Sequence, residues 1–161
     1  MAKSVRIPVS VRRFLYAALT VSWCSGIVFF ILNQWVTLEG EFGPEKHPWQ
    51  IGFLRIHGAG AFLMMITFGY LLASHIAVSW PLKKMRPLGV TLVAAIGFLI
   101  VSAYGLYYLG DPDLRTYLAY AHAGVGVSLP FLLMVHLVQG RRQRNLRKTT
   151  SARKAKAKAA A

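Results

Sequence analysis

Four histidines lie inside long apolar stretches of the chain. They are His57, His75, His122 and His136. A neutral imidazole offers a nitrogen lone pair to a metal, and histidine is a common axial ligand of haem iron. Because ionisable side chains are costly within a membrane, each of these histidines is a candidate functional residue. Their chemistry points first to ligation of a metal or a haem.

The spacing of the histidines places each sequential pair on one face of a helix. His57 and His75 are 18 residues apart, which is five turns at about 3.6 residues per turn. His122 and His136 are 14 residues apart, about 40° short of four turns. At about 1.5 Å per residue the two pairs span about 27 and 21 Å. A tilt of the helix that carries His57 and His75, or a bulge in that helix near Gly69, must absorb the difference of about 6 Å.

The helices that carry these histidines are two of four long apolar runs. The runs lie at about 14–36, 51–80, 88–109 and 117–138. Each reaches the ~20 residues that a helix needs to cross a bilayer. The first run is too long for the apolar part of a signal peptide, so we expect it to be retained. The sequence predicts an all-α fold, an integral membrane four-helix bundle over residues 14–138. A basic segment precedes it at 1–13, and a basic, disordered tail follows at 139–161.

The distribution of charge predicts the orientation of this bundle. The 161-residue chain is 55% hydrophobic and has a formal net charge of +14. Sixteen of the 19 Lys and Arg residues lie in the N-terminal segment, the connector between the second and third runs, and the tail. The other three basic residues and all five acidic residues fall on the opposite side. Because positive charge collects on the cytoplasmic side, both termini are predicted to be cytoplasmic, in a bacterial inner membrane.

The same composition excludes several classes of protein. A disordered basic protein would contain far fewer apolar residues, and a soluble nucleic-acid-binding domain of this size could not bury them. The tail lacks aromatic residues for base stacking, so we expect it to contact anionic lipid and not nucleic acid. The single cysteine, Cys24, excludes a disulfide framework and a CxxCH haem attachment, and we expect it to pack inside the bundle.

The predicted orientation sorts the four histidines by depth in the membrane. The second and fourth helices both run from outside to inside, so His57 and His122 lie near the outer surface. We call them the outer pair, and we call His75 and His136 the inner pair. Two imidazoles on facing helices can hold one iron from both sides, which favours electron transfer over substrate binding. The pattern predicts two stacked haem b groups, or one if the difference in span is not absorbed.

Other interpretations of these residues stay open. Membrane histidines also form interhelical hydrogen bonds. Zinc or copper is less favoured, because the histidines of one helix are too far apart to share a metal and no carboxylate or thiol joins them. The glycines beside the outer pair either make room for a porphyrin or let helices pack closely. These glycines are Gly58, Gly60, Gly124 and Gly126.

The histidine pattern resembles the cytochrome b subunits of quinol-oxidising complexes and the smaller b-type subunits that anchor periplasmic hydrogenases and formate dehydrogenases. Over about residues 44–142 the chain is more closely similar to a group of bacterial four-helix membrane proteins related to cytochrome b. Four stretches carry this likeness: GPEKHPWQIGFLRIHGAGAF, FGYLLASHIAVSW, SAYGLYYLGDPDLR and AHAGVGVSLPFLLMVHLVQGRR. The resemblance implies haem ligation by all four histidines, although the His57–His75 spacing is longer than in those subunits.

The expected function is electron transfer across the membrane, between the quinone pool and a periplasmic redox protein or partner subunit. Such a chain would be a non-catalytic electron-transfer subunit of an oxidoreductase system. His47, Arg55 and Arg141 are candidates for contacts to quinone or to haem propionates. Their alternative role is to anchor helix ends at the membrane surface. The competing hypothesis is a haem-free membrane scaffold that docks a partner.

Overall fold

The computed structural model describes residues 7–79 and 86–159, and it is all-α apart from one short hairpin. The elements in chain order are α1 (Val9–Trp35), β1 (Thr37–Gly40), β2 (Gly43–Lys46), α2 (Trp49–Leu71), a π-helical turn (Leu72–Ile76), α3 (Ala77–Ser79), α4 (Arg86–Tyr108) and α5 (Pro112–Ala159). Helix α2, the π turn and α3 form one continuous helical segment. The predicted cytoplasmic connector with Lys83 and Lys84 lies outside the described residues, as do residues 1–6.

Four of the helical segments are long and apolar enough to cross a membrane, in agreement with the four runs in the sequence. Helix α5 begins earlier than its apolar run because polar residues start it. The Asp111 carboxylate accepts the backbone N–H of Leu114 at 2.8 Å, which caps the helix. Pro112 occupies the first helical position, where the missing N–H costs nothing.

The basic tail differs from the sequence prediction. Residues 139–159 continue α5 as helix, where a disordered segment is predicted. The tail consists mainly of Ala, Lys, Arg and other residues with high helix propensity. After Gly140 no glycine or proline interrupts it. The high net charge suggests disorder, but local propensity favours extension of the helix that precedes the tail.

The first connector forms an antiparallel hairpin that the sequence analysis does not predict. Gly40 pairs with Gly43, so Glu41 and Phe42 form the loop. Gly43 adopts a φ of 121°, a conformation that residues with a side chain rarely reach. The Lys46 ammonium donates a hydrogen bond of 2.7 Å to the Asn33 carbonyl, which ties the hairpin to the end of α1.

Burial in this bundle is the reverse of that in a soluble protein. The buried positions are mostly small or hydroxyl-bearing, among them Ala18, Ser25 and Thr67. Large apolar side chains face outward, and Ile66 and Val101 are 67% and 71% exposed. Membrane helices pack through small residues and present large apolar side chains to lipid. The burial pattern supports the membrane assignment independently of helix length.

Two helical hairpins make up the bundle. Helix α1 packs along α2, and α4 packs along α5. A Cβ added at Gly60 would lie 3.0 Å from the Ser22 backbone, so α1 and α2 approach closely there. Helix α1 also contacts α5, where the Trp23 indole donates to the Val127 carbonyl at 3.3 Å. These contacts bring the histidine-bearing helices α2 and α5 to the two sides of one space.

Candidate functional site

His57 is held on α2 by the backbone of α1. Its Nδ1 lies 2.8 Å from the Ser22 carbonyl oxygen. A carbonyl oxygen can only accept a hydrogen bond, so Nδ1 carries the proton and Nε2 keeps its lone pair. The close approach requires a glycine, because a Cβ at Gly26 would lie 2.7 Å from the same Nδ1. The backbone of α1 therefore fixes both the position and the tautomer of this ring.

His122 is held in the same way by a side chain of α4. Its Nδ1 lies 2.7 Å from the Ser102 hydroxyl oxygen. That hydroxyl donates its own proton to the Leu99 carbonyl at 3.2 Å. A Ser102 hydroxyl that donates to Leu99 accepts from Nδ1–H of His122, and a neutral ring protonated at Nδ1 keeps its lone pair on Nε2. In that arrangement His122, like His57, offers the lone pair of Nε2.

The two rings of the outer pair lie next to each other between α2 and α5. Their centroids are 6.2 Å apart, and their planes are inclined by 82°. A metal–nitrogen bond to histidine is about 2.0 Å long and the ring centre lies about 1.1 Å further out, so two axial imidazoles have centres about 6 Å apart. The observed separation fits one metal ion between the rings.

The glycines near the outer pair divide into two groups. Gly60 packs against Ser22 of α1, as the close-packing interpretation predicts. At Gly58 and Gly124 nothing lies within 4 Å of the place where a Cβ would be. These two positions, next to His57 and two residues after His122, leave space beside the ligand candidates. Close packing therefore accounts for Gly60, and room for a porphyrin beside Gly58 and Gly124 stays a prediction.

The inner pair has no such support. His75 lies on the π turn that follows α2, and His136 lies on α5, within range of an electrostatic interaction. The Nδ1 atom of each ring is buried, and neither has a hydrogen-bond partner among the described residues. A buried polar atom without a partner costs about 1–3 kcal/mol, so it requires an explanation. Only coordination through Nδ1 itself would supply these partners, because ligation through Nε2, the atom that the outer pair offers, leaves Nδ1 without a partner.

The difference in span between the two helices is partly absorbed by the π turn that contains His75. This turn, Leu72–Ile76, begins three residues after Gly69, near the predicted bulge. It holds one extra residue, which shortens the advance along the helix by about 1.5 Å. The rest of the difference of about 6 Å falls to helix tilt and curvature. The Ser74 hydroxyl donates to the Tyr70 carbonyl at 2.7 Å in this irregular segment.

The other candidate residues lie apart from the four histidines. His47 accepts the backbone N–H of Trp49 at 3.2 Å, so it supports the start of α2. Arg55 and Arg141 are exposed. In the described part of the chain, no hydrogen bond or ion pair connects these three residues to either histidine pair. Cys24 is exposed on the outside of the bundle, so the expectation that it packs inside is wrong.

The partners of the outer pair are the functional residues that sequence reasoning missed. Ser22 and Ser102 are buried, and they are small polar residues inside apolar helices. Such residues are candidates for interhelical hydrogen bonds in membranes. Their residue type marks them as candidates, but no spacing along the sequence connects Ser102 on α4 with His122 on α5. Their meeting depends on how the two helices pack.

No group of three or more His, Cys, Asp or Glu residues that could hold a metal ion occurs in residues 7–79 and 86–159. A typical zinc site needs at least three protein ligands. A bis-histidine haem needs only two, since the porphyrin supplies the other donors. The donor set therefore fits haem better than a bare metal ion. No known family model matches the chain, and neither does any curated protein or solved structure.

Proposed function

We propose that this protein is a membrane b-type cytochrome that carries electrons across the bilayer. Its outer pair and its inner pair would each hold one haem b by both axial positions. The electrons would pass between the quinone pool and a periplasmic redox protein or partner subunit. In this role the chain is an electron-transfer subunit of a larger oxidoreductase system and performs no chemistry on a substrate.

The observation that carries this proposal is that a neighbouring helix holds Nδ1 of both His57 and His122 within hydrogen-bond distance. Each ring gives its Nδ1–H to a neighbouring helix and leaves Nε2 without a protein partner in the described part of the chain. A metal-binding histidine commonly donates its other ring N–H in this way, which orients the ring and raises its basicity. Two rings that are held in this way, with their centroids 6.2 Å apart, would offer two lone pairs to one iron.

The surrounding residues would do three things for such a site. The Ser22 carbonyl and the Ser102 hydroxyl hold the rings, and the apolar helices keep water out. Two imidazoles in the axial positions leave no open position for oxygen or substrate. Bound haem would supply a one-electron ferric–ferrous couple at each site. A site with fixed ligands and no open position is suited to electron transfer.

Charge supports the orientation of this pathway. The basic residues in the N-terminal segment, the second connector and the tail sum to +16 with no acid among them, whereas the opposite side carries −2. Both termini would then lie in the cytoplasm, with the hairpin and the outer pair toward the periplasm of a bacterial inner membrane. Quinone would enter from the lipid. Arg141 near the inner end and Arg55 near the outer end are exposed cations for polar contacts there.

The test is whether the purified protein contains haem. In detergent, a dithionite-reduced minus air-oxidised spectrum should show the α-band of a b-type haem. A pyridine haemochrome assay should give about two haems per chain. The matched control replaces all four membrane histidines by alanine, with helix content checked by circular dichroism. A wild-type protein without haem, or a control that binds as much haem as the wild type, would refute the proposal.

One observation favours the competing scaffold hypothesis. The bonds from His57 to Ser22 and from His122 to Ser102 connect helices, as a haem-free scaffold also requires. The inner pair does not fit this hypothesis, because Nδ1 of His75 and Nδ1 of His136 form no interhelical hydrogen bond in the described part of the chain. A folded wild-type protein that binds a partner without any haem would establish the scaffold.

A further inference from the structure

We infer that Ser102 is a positioning residue that lowers the reduction potential of the outer haem site by acting through His122. This inference depends on the proposed function, because it concerns the haem that His57 and His122 would hold. Ser102 is 2% exposed, and its hydroxyl oxygen lies 2.7 Å from Nδ1 of His122. It touches the ligand and not the iron, so its effect is indirect.

The direction of the hydrogen bond determines the sign of the effect. A neutral His122 that binds iron through Nε2 carries its proton on Nδ1, so the Ser102 oxygen accepts from Nδ1–H and the hydroxyl proton is directed to the Leu99 carbonyl. An imidazole that donates at Nδ1 becomes a more basic ligand at Nε2. A more basic ligand stabilises ferric iron more than ferrous iron, because the ferric ion carries the larger positive charge. Ser102 therefore lowers the potential at which the outer site accepts an electron.

The surroundings strengthen this hydrogen bond. The Leu99 carbonyl polarises the Ser102 hydroxyl, and hydrogen bonds in a chain reinforce one another in a medium of low dielectric constant. Because Ser102 is buried, no water can replace its hydroxyl without a rearrangement of α4 and α5. Loss of the hydroxyl would leave Nδ1–H of His122 without an acceptor.

The experiment compares Ser102→Ala with Ser128→Ala in redox titrations followed by the haem absorbance. Ser128 is the matched control, since its hydroxyl donates to the Val125 carbonyl of its own helix at 2.8 Å and bonds no histidine. Each substitution is made in the full chain and again with His136→Ala, which leaves only the outer haem. If a variant is purified without that haem, hemin is added to saturation before the titration.

Ser102→Ala should raise the potential of the outer haem. At the wild-type midpoint, the ratio of reduced to oxidised haem should increase about tenfold, which corresponds to about 59 mV for one electron. Ser128→Ala should leave it unchanged. An unchanged potential in Ser102→Ala overturns the inference while the cytochrome proposal stands, and so does an equal shift in both variants. A wild-type chain without haem overturns both.

Discussion

The outer and inner histidine pairs use the same residue type on the same two helices, yet their surroundings are opposite. In the outer pair each Nδ1 has a partner within 2.8 Å on a helix that carries neither histidine, α1 for His57 and α4 for His122. In the inner pair each Nδ1 is buried without one in the described part of the chain. The outer pair is therefore organised by the protein alone, whereas the inner pair lacks a fixed tautomer. The difference predicts that the two sites respond differently to mutation.

Removal of one ligand should produce the largest effect. On the cytochrome proposal, His122→Ala should lose the outer haem and His136→Ala should lose the inner haem, because only one histidine would be left to hold each iron. The haem content measured by the pyridine haemochrome assay should fall from about two haems per chain to about one in each variant. His47→Ala is the control and should keep both haems, since the His47 ring accepts the backbone N–H of Trp49 and bonds neither histidine pair in the described part of the chain. Loss of both haems from either variant would mean that the pairs are not independent.

Deletion of Ala73 should affect the inner pair alone. Ala73 is an exposed residue of the π turn, and its removal would convert the turn to regular α-helix. His75 lies inside this turn, so the change from π to α geometry would move the backbone that positions its ring. We expect loss of the inner haem and retention of the outer one, measured as haem content and by redox titration. Ala73→Leu keeps the chain length and should bind both haems; equal losses in the two variants would show that the π turn is irrelevant to the site.

Substitution of Gly26 should weaken the outer site without removal of a ligand. In Gly26→Ala the new Cβ would lie 2.7 Å from Nδ1 of His57, so the ring must move and lengthen its bond to the Ser22 carbonyl. Loss of such a supporting bond typically lowers metal affinity by about 10–100-fold. The measurement is hemin titration of the haem-free protein. Gly89→Ala is the control, because nothing lies within 4 Å of its Cβ; similar affinities in both variants would contradict the role given to Gly26.

The sequence could reveal the ligand candidates but not what distinguishes the two pairs. Helical periodicity placed His57 with His75 and His122 with His136, and the charge distribution paired them across α2 and α5. The four membrane-length helices were also predictable, because apolar length alone determines them. By contrast, the bond from Ser102 to His122 depends on the packing of α4 against α5, which a single sequence does not encode in any local pattern. The hairpin and the helical tail depend on backbone pairing and propensity, which charge and hydropathy do not reveal.

The smallest expected effect concerns the unmodified protein, which on the cytochrome proposal should hold two haems of different reduction potential. His57 and His122 both donate from Nδ1, so both are more basic ligands than rings without an acceptor. The outer haem should therefore have the lower potential, and a redox titration should need two one-electron components to fit. Assignment follows from His136→Ala, which should retain the low-potential component, and from His122→Ala, which should retain the high-potential one. The reverse assignment would mean that burial and nearby charge outweigh the hydrogen bonds at Nδ1, so that the outer pair's partners orient the rings without setting the order of the potentials.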